Sequence, residues 1–402
     1  MTALQSRPAT VPLLTDTTAT ATARDIATEL AEQAAWRDRG RCLPHEQITR
    51  LGASGLLALT VPRAYGGPGL GAVTVAEVFR LLATGDPSVA QIPHSHFVYV
   101  NALRENGTDA QRQLLFGEVL AGRSFGNAQS ETGTANVREH RTTLHPDGPG
   151  RWRLTGEKGY CTGALFADWI PVLAHLGPDG PKHVAWVRRD APGVTVIDDW
   201  DGLGQRTTAS GTVRLERVAV DDDLVTPYHL TFDHPQVYGA WAQLLHAAID
   251  TGIARAALTE AAAFVATRSR PYPDAGVARA AEDPLVVQAF GRFEVATRAA
   301  EALLRVAAER VDAAEADLDD ESAAAASLAV AAARAASTTA ALDVSNGLFE
   351  VAGTRAALRS LNLDRHWRNA RTHTLHDPVA WKYQHLGRFA VDGTLPPRHG
   401  QL

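Results

Sequence analysis

F-G-N-A-Q-S-E-T-G-T, Phe125 to Thr134, stands where this chain changes character. Before it, from about Ala23 to Gly122, apolar residues recur at three- and four-residue spacing. The runs D-I-A-T-E-L-A-E-Q-A-A-W-R-D-R (Asp25 to Arg39) and H-E-Q-I-T-R-L-G-A-S-G-L-L-A-L (His45 to Leu59) show it, and the pattern predicts helices. After it, to about Pro227, come short β-type runs between Gly, Pro and Asp clusters: R-W-R-L-T-G, W-I-P-V-L-A-H-L, H-V-A-W-V, V-T-V-I and G-T-V-R-L-E-R-V-A-V. Beyond His229 the chain is Ala-rich, with helices predicted near 238–268, 284–315, 321–351 and 378–390. Segregated helix, strand and helix blocks indicate an α+β fold, mainly α, and argue against an alternating parallel sheet. The expected division is a disordered Thr/Ala lead over 1–22, a helical domain over 23–122, a strand domain over 123–228 and a helical domain over 229–402.

The 402 residues carry a formal charge of −6 with 45% hydrophobic content, enough for a large core. Mild acidity and the lack of a basic run argue against nucleic acid as a partner. No stretch of eighteen apolar residues predicts a membrane span. Cys42 and Cys161 are the two cysteines, so neither a disulfide framework nor a thiolate metal site is indicated, and a cytoplasmic setting fits. Three lysines stand against thirty-six arginines, so arginine abundance alone says little about function. Gly67-Pro-Gly69-Leu-Gly-Ala72 matches a G-x-G-x-x-A dinucleotide fingerprint but lies outside any strand–turn–helix unit, which argues against a nucleotide there.

Four segments carry chemistry. In Phe125 to Thr134, small residues admit a ligand to the backbone, and Asn127, Gln129, Ser130 and Thr132 supply donors and acceptors. G-E-K-G-Y-C-T-G-A, Gly156 to Ala164, adds backbone amides and the Thr162 hydroxyl. T-R-S-R-P-Y, Thr267 to Tyr272, sets Arg268 and Arg270 at a helix end, where a guanidinium suits a phosphate. R-H-W-R-N-A-R-T-H-T-L-H-D, Arg365 to Asp377, gathers His366, His373 and His376 with three arginines and Asp377 ahead of Pro378. A purely structural account makes Asp377 the cap of a helix with Pro378 at its first position. His373 and His376 at i, i+3 suit a metal in principle, but no third ligand is identifiable and none is assigned.

From about residue 25 the chain resembles the acyl-CoA dehydrogenase superfamily. L-T-V-P-R-A-Y-G-G-P-G-L-G (Leu59 to Gly71) is similar to its V-P-E-x-Y-G-G-x-G segment, S-E-T-G-T to its T-E-P-x-A-G-S loop, and E-K-G-Y-C-T-G-A to its K-x-x-I-T-N-G flavin strand. R-N-A-R-T-H-T-L-H-D-P resembles the R-D-A-x-x-x-x-I-Y-E-G stretch that closes the site. The resemblance implies an N-terminal helical domain, a central β-barrel and a C-terminal four-helix bundle, with flavin between barrel and bundle in a homotetramer. Where the dehydrogenases carry the glutamate that removes a proton beside a thioester, this chain has His376-Asp377-Pro378. Together with Q-I-P-H-S-H-F near residue 94, that ending resembles the flavin monooxygenase branch, which holds dibenzothiophene monooxygenases and sulfur-acquisition oxidoreductases.

Membership of that branch implies a two-component monooxygenase. It takes reduced FMN, with FAD the alternative, from a separate NAD(P)H-dependent flavin reductase, and transfers one atom of O2 through a flavin C4a-hydroperoxide to a small organosulfur substrate. Dehydrogenation of an acyl thioester is the alternative. Implied catalytic residues are His376 as the flavin-facing donor, His373 beside it, the Thr162 hydroxyl, and His96, for which a core role is equally compatible. Implied flavin contacts are Asn127, Ala128, Gln129, Ser130, Glu131, Thr132, Lys158, Gly159, Tyr160, Cys161, Thr162 and His376, with Arg268 at the phosphate or Arg270 in the alternative register. Gly353 and Thr354 resemble the segment that meets flavin from a neighbouring subunit.

Overall fold

The computed structural model describes residues 10–136 and 139–402. The first helix, α1 (Asp16–Gly40), begins inside the lead expected to be disordered to residue 22. The Thr15 and Thr18 hydroxyls cap each other's backbone N–H groups and start it there, while residues 1–9 of that lead lie outside the described residues. The remaining N-terminal helices are α2 (His45–Ala53), α3 (Ala72–Gly85), α4 (Pro87–Gln91), α5 (His94–Asn106) and α6 (Asp109–Leu120). The five residues of α4 are too few to form a helix alone. Asp86 places them: Oδ1 accepts from the N–H groups of Ser88 and Val89, and Oδ2 accepts from Arg37 Nε of α1 at 2.9 Å. The glycine-rich decoy leads into α3, whose first N–H groups at Ala72 and Val73 are taken by the Asp312 carboxylate.

The middle block is a seven-stranded mixed sheet in the order β5-β6-β2-β1-β3-β4-β7. Its strands are β1 (Thr143–Pro146), β2 (Arg151–Lys158), β3 (Trp169–Leu176), β4 (Lys182–Arg188), β5 (Val194–Ile197), β6 (Thr212–Asp221) and β7 (Val225–Thr226). All neighbours are antiparallel except β1 and β3. The layer anticipated as a barrel thus has β5 and β7 at the ends of its ladder. The segment anticipated as a flavin strand stops being one at Lys158: residues 159–166 form a turn, with Tyr160 at a φ of 56°.

Three long helices follow, α7 (Tyr238–Thr267), α8 (Pro284–Ala316) and α9 (Asp320–Ala352), with α10 (Arg365–His373) and α11 (Val379–Asp392) packed on them. The four predicted helices lie within two residues of α7, α8, α9 and α11. Every residue of α7 from Tyr238 to Ala254 is buried, because α3, α5, α8 and α9 surround it. Alanine at the α7–α9 contacts lets the two backbones come close. By length and composition α9 would pass for a membrane span, yet 56% of its apolar window is buried within the fold. The anticipated cap at Asp377 is not formed. Pro378 holds the N-cap position of α11, and Asp377 Oδ2 instead accepts from Gln243 Nε2 of α7 at 2.7 Å.

Candidate active site

A cavity of about 580 Å³ is walled by loops of the sheet layer on one side and by α5, α7 and the turn after α10 on the other. The junction loop reaches it because its N-terminal part runs along β3, with parallel bridges from Phe125 to Trp169 and from Ala128 to Val172. Phe125 and Ala128 enter the core, while Asn127, Gln129, Ser130 and Glu131 line the cavity. Asn127 Nδ2 donates to the Tyr160 carbonyl at 3.2 Å and ties the loop to the turn after β2. The left-handed backbone of Tyr160, unfavourable for a residue with a side chain, carries that turn into the cavity wall.

Thr162 ends a run of three hydroxyls. Thr208 Oγ1 donates to the Gln205 carbonyl at 2.9 Å, Ser210 Oγ lies 2.7 Å from Thr208 Oγ1, and Thr162 Oγ1 lies 2.6 Å from Ser210 Oγ. With the Thr208 proton committed, Ser210 donates to Thr208 and Thr162 donates to Ser210. Thr162 therefore offers the cavity an oxygen lone pair. Among the described residues, nearby Gln205, 2% exposed, has no partner for either amide atom, and Gln243 has none for Oε1. Orphaned buried polar atoms on a cavity wall suit a ligand with its own donors and acceptors.

Five of the expected flavin contacts do not line the cavity. Ala128 and Cys161 are core residues, and burial pushes the Cys161 thiol up to about 12. Lys158 is fully buried and donates to Glu131 Oε1 at 2.7 Å and to the Gln129 carbonyl at 3.1 Å. Burial alone would raise the Glu131 carboxyl, but Lys158 and the Thr142 hydroxyl hold it at about 2. The pair braces the loop from within. Thr132 packs over Gly159, where a Cβ would come within 2.6 Å of its methyl group, so the close approach served by that glycine is to the loop.

Histidines form the opposite wall. His376 lines the cavity, and its Nδ1–H donates to the His373 carbonyl at 2.7 Å. Its outer edge meets solvent, but desolvation within the site and then the neighbouring His373 lower its pKa to about 3, and with Nδ1–H committed the neutral ring keeps a lone pair on Nε2. That lone pair faces Gln91 Nε2 at 3.3 Å. His376, anticipated as a donor, thus stands as an acceptor. His373 is fully buried: Nδ1–H donates to Asp250 Oδ1 at 2.5 Å, and Nε2 lies 3.0 Å from Gln91 Oε1 and 3.1 Å from His246 Nδ1. Asp250 Oδ2 accepts from Arg334 Nη1 at 2.5 Å. Burial would raise the Asp250 carboxyl, but His373 and Arg334 hold it below its ordinary value. His94 Nε2–H donates to the Ala242 carbonyl at 2.9 Å while its ring stacks on His246 at 4.0 Å.

His96 does not reach the cavity. It has no exposed surface, its Nε2–H donates to the Leu57 carbonyl at 2.8 Å, and its Nδ1 accepts from the Phe125 N–H at 3.1 Å. Both nitrogens are spent on backbone, the arrangement of a core histidine. Arg268, Gly353 and Thr354 also lie away from it. Arg268 ends α7, twenty-two residues beyond His246, which is roughly 33 Å along a helix. There the Arg268 carbonyl accepts from Arg355 Nη1, and Ser269 Oγ donates to the Ala352 carbonyl beside Gly353. Within one chain Arg268 and His376 therefore do not serve one cavity. His366 lines a second hollow of about 640 Å³ with Arg80, Arg255 and Glu260, which no residue of the junction loop enters.

The site also holds residues that were not anticipated. Gln91, Gln205, Ser210, Gln243, His246, Asp250 and Arg334 all contribute. A signal existed for two of them: His246 and Asp250 are ionisable residues at i, i+4 in the uninterrupted apolar run of α7, which puts both on one buried face.

Comparison with known proteins agrees with this architecture. Residues 16–123, 125–218 and 244–381 match the N-terminal, middle and C-terminal domain models of acyl-CoA dehydrogenase. A dibenzothiophene monooxygenase of Rhodococcus qingshengii is 33% identical over 392 residues, covering 94% of each chain. A Pseudomonas putida protein described as a probable FMNH2-dependent monooxygenase, SfnC, is 34% identical over 385 residues, covering 94% of this chain and 96% of its own. The crystal structure of TdsC from Paenibacillus sp. A11-2 with FMN and indole superposes with a TM-score of 0.91 at 32% identity, covering 96% of this chain and all of TdsC. With three domain models matched in sequence order and full-length relatives a third identical, the chain belongs to the acyl-CoA dehydrogenase family.

Proposed function

We propose that this protein is a two-component monooxygenase that binds reduced FMN between the sheet layer and the bundle and transfers one oxygen atom of O2 to a small organosulfur compound. The observation that carries it is the lining of the cavity: the junction loop, the Tyr160 turn and His376 face one space, and the position where a dehydrogenase would need a carboxylate base is held by an imidazole. Asp377, the carboxylate beside it on the cavity wall, is one methylene shorter than a glutamate and has Oδ2 held by Gln243 Nε2. The relatives named as dibenzothiophene and FMNH2-dependent monooxygenases support the same reading.

The donor set fits a flavin, and it fits the reduced form better than the oxidised one. Reduced flavin carries a hydrogen on N5, and the Thr162 oxygen, its own proton committed to Ser210, is an acceptor. When bound between these walls, reduced flavin would supply the two electrons needed to activate O2. The chain's part is to orient the ring, exclude water and manage one proton. His376 Nε2 would take the proton shed by the newly oxygenated substrate and return it to the departing oxygen, and Gln91 links the position of His376 to that of His373. Arg268, Gly353 and Thr354 reach the flavin phosphate of a second copy in a homotetramer, and a cytoplasmic NAD(P)H-dependent reductase delivers FMNH2 by diffusion.

Stopped-flow mixing of the protein–FMNH2 complex with O2 tests this reading. A transient absorbance of the oxygen adduct is expected, and its absence would sink the proposal. Replacing His376 with Ala is expected to lower coupled oxygen transfer by about 10²-fold or more, with FMNH2 consumed without product. Full coupling in that variant would remove His376 from the mechanism.

A further inference from the structure

We propose that His246, His373 and His376 also form a binding site for one divalent transition-metal cation, taken up by the flavin-free protein. The three rings make a near-equilateral triangle, with centroids 5.1 Å apart for His246 and His373, 4.5 Å for His246 and His376, and 4.9 Å for His373 and His376. One ligand nitrogen from each lies within 4.8 Å of the others, and His246 Nδ1 is already 3.1 Å from His373 Nε2. A tetrahedral ion with bonds of about 2.1 Å would hold such nitrogens about 3.4 Å apart, so a small inward turn of His376 completes the set.

Hydrogen bonding has already selected which nitrogen of two rings faces the common space. His373 spends Nδ1–H on the Asp250 carboxylate and His376 spends Nδ1–H on a backbone carbonyl, which turns Nε2 of each inward, where Gln91 holds both: its Oε1 accepts from His373 Nε2–H and its Nε2 donates to His376 Nε2, so a cation binds by displacing the His373 Nε2 proton and the Gln91 N–H. An imidazole whose other nitrogen donates to a carboxylate or a carbonyl is the arrangement found behind metal-ligating histidines, because it fixes the tautomer and raises the basicity of the ligand. Gln91 Oε1, 3.0 Å from His373 Nε2, is placed as a fourth donor. Imidazole with an amide oxygen suits Zn²⁺, Co²⁺ or Ni²⁺ better than Mg²⁺ or Ca²⁺. The ion enters from the cavity, which His246 and His376 both line. Since the same Nε2 lone pair of His376 cannot serve a metal and a proton together, the bound cation is an inhibitor of the proposed oxygen transfer.

The test titrates Co²⁺ into the tag-free, flavin-free protein and follows the visible absorption of four-coordinate cobalt. One equivalent is expected, displaced by Zn²⁺. His246→Asn is expected to weaken binding by about 100-fold, and His376→Gln, at the cavity edge where folding is least at risk, by a similar factor. Circular dichroism melting of both variants separates ligand loss from unfolding. No stoichiometric cobalt band, or a band that survives both substitutions in folded protein, overturns the proposal. Because no flavin is present, the outcome is independent of whether the monooxygenase reading stands.

Discussion

Asp250→Asn is the substitution with the largest consequence calculable from this fold. Asp250 has no exposed surface and accepts from Arg334, 1% exposed, through Oδ2 and from His373 through Oδ1, each at 2.5 Å. Asparagine keeps one acceptor oxygen for two buried donors and loses the charge. Either Arg334 remains an uncompensated guanidinium between α7 and α9, or the His373 N–H loses its acceptor. Removing one partner of such a buried pair costs about 3–5 kcal/mol. The assay is amide hydrogen exchange of α7 and α9, whose protection should fall by about two to three and a half orders of magnitude. Adding Arg334→Met should restore most of that protection, since an uncharged pair of similar volume carries no desolvation cost. It should not restore oxygen transfer, because His373 still lacks the carboxylate that orients it. A loss of protection under about tenfold in the single variant would refute the claim that this ion pair anchors the histidine wall.

Two further outcomes follow from the site. The Glu131 carboxyl has a folded pKa of about 2 against 4.5 for the free group, so the stability it contributes is complete above about pH 4.5 and drains away as pH falls toward 2. Urea midpoints taken from pH 5 down to pH 3 should decline less steeply in Glu131→Gln than in the native protein, and equal slopes would show that the Lys158 pair is not responsible. The separation of Arg268 from His376 along α7 predicts complementation: Arg268→Ala and His376→Ala, each poorly active alone, should regain about a quarter of native activity when co-expressed, since mixed assemblies keep one intact site. No recovery would place the phosphate contact elsewhere.

What could be read in advance depended on whether the signal was local. Helices α7, α8, α9 and α11 were legible because each shows Ala-rich apolar periodicity between turn residues, and five strands were legible as β-branched runs. Strand β7, at two residues, is too short to carry a pattern, and β1, T-L-H-P, is no longer than β5 but lacks its β-branched run and ends in proline. In the site, residues facing a ligand and residues bracing them share the same motif. Nothing in G-E-K-G-Y-C-T-G-A tells that Lys158 points inward to Glu131 while Thr162 points to the cavity, since that depends on the break at Gly159. His94 and His96 part according to which carbonyl each finds, Ala242 or Leu57, and both carbonyls are supplied by remote segments. The role of Gln91 was invisible for the same reason: its partners arrive from 282 and 285 residues away.

The short helix α4 gives this enzyme a seam that matters for engineering. Gln91, its last residue, registers His373 against His376, yet its position is dictated upstream by Asp86 and by Arg37 of α1. A chimera that takes its C-terminal bundle from a relative would import both histidines and leave behind the amide that sets their spacing. Exchanges made at the junction between strands and bundle should therefore yield well-folded but miscalibrated catalysts. Chimeras that move the segment from Arg37 to Gln91 together with the bundle should keep their tuning.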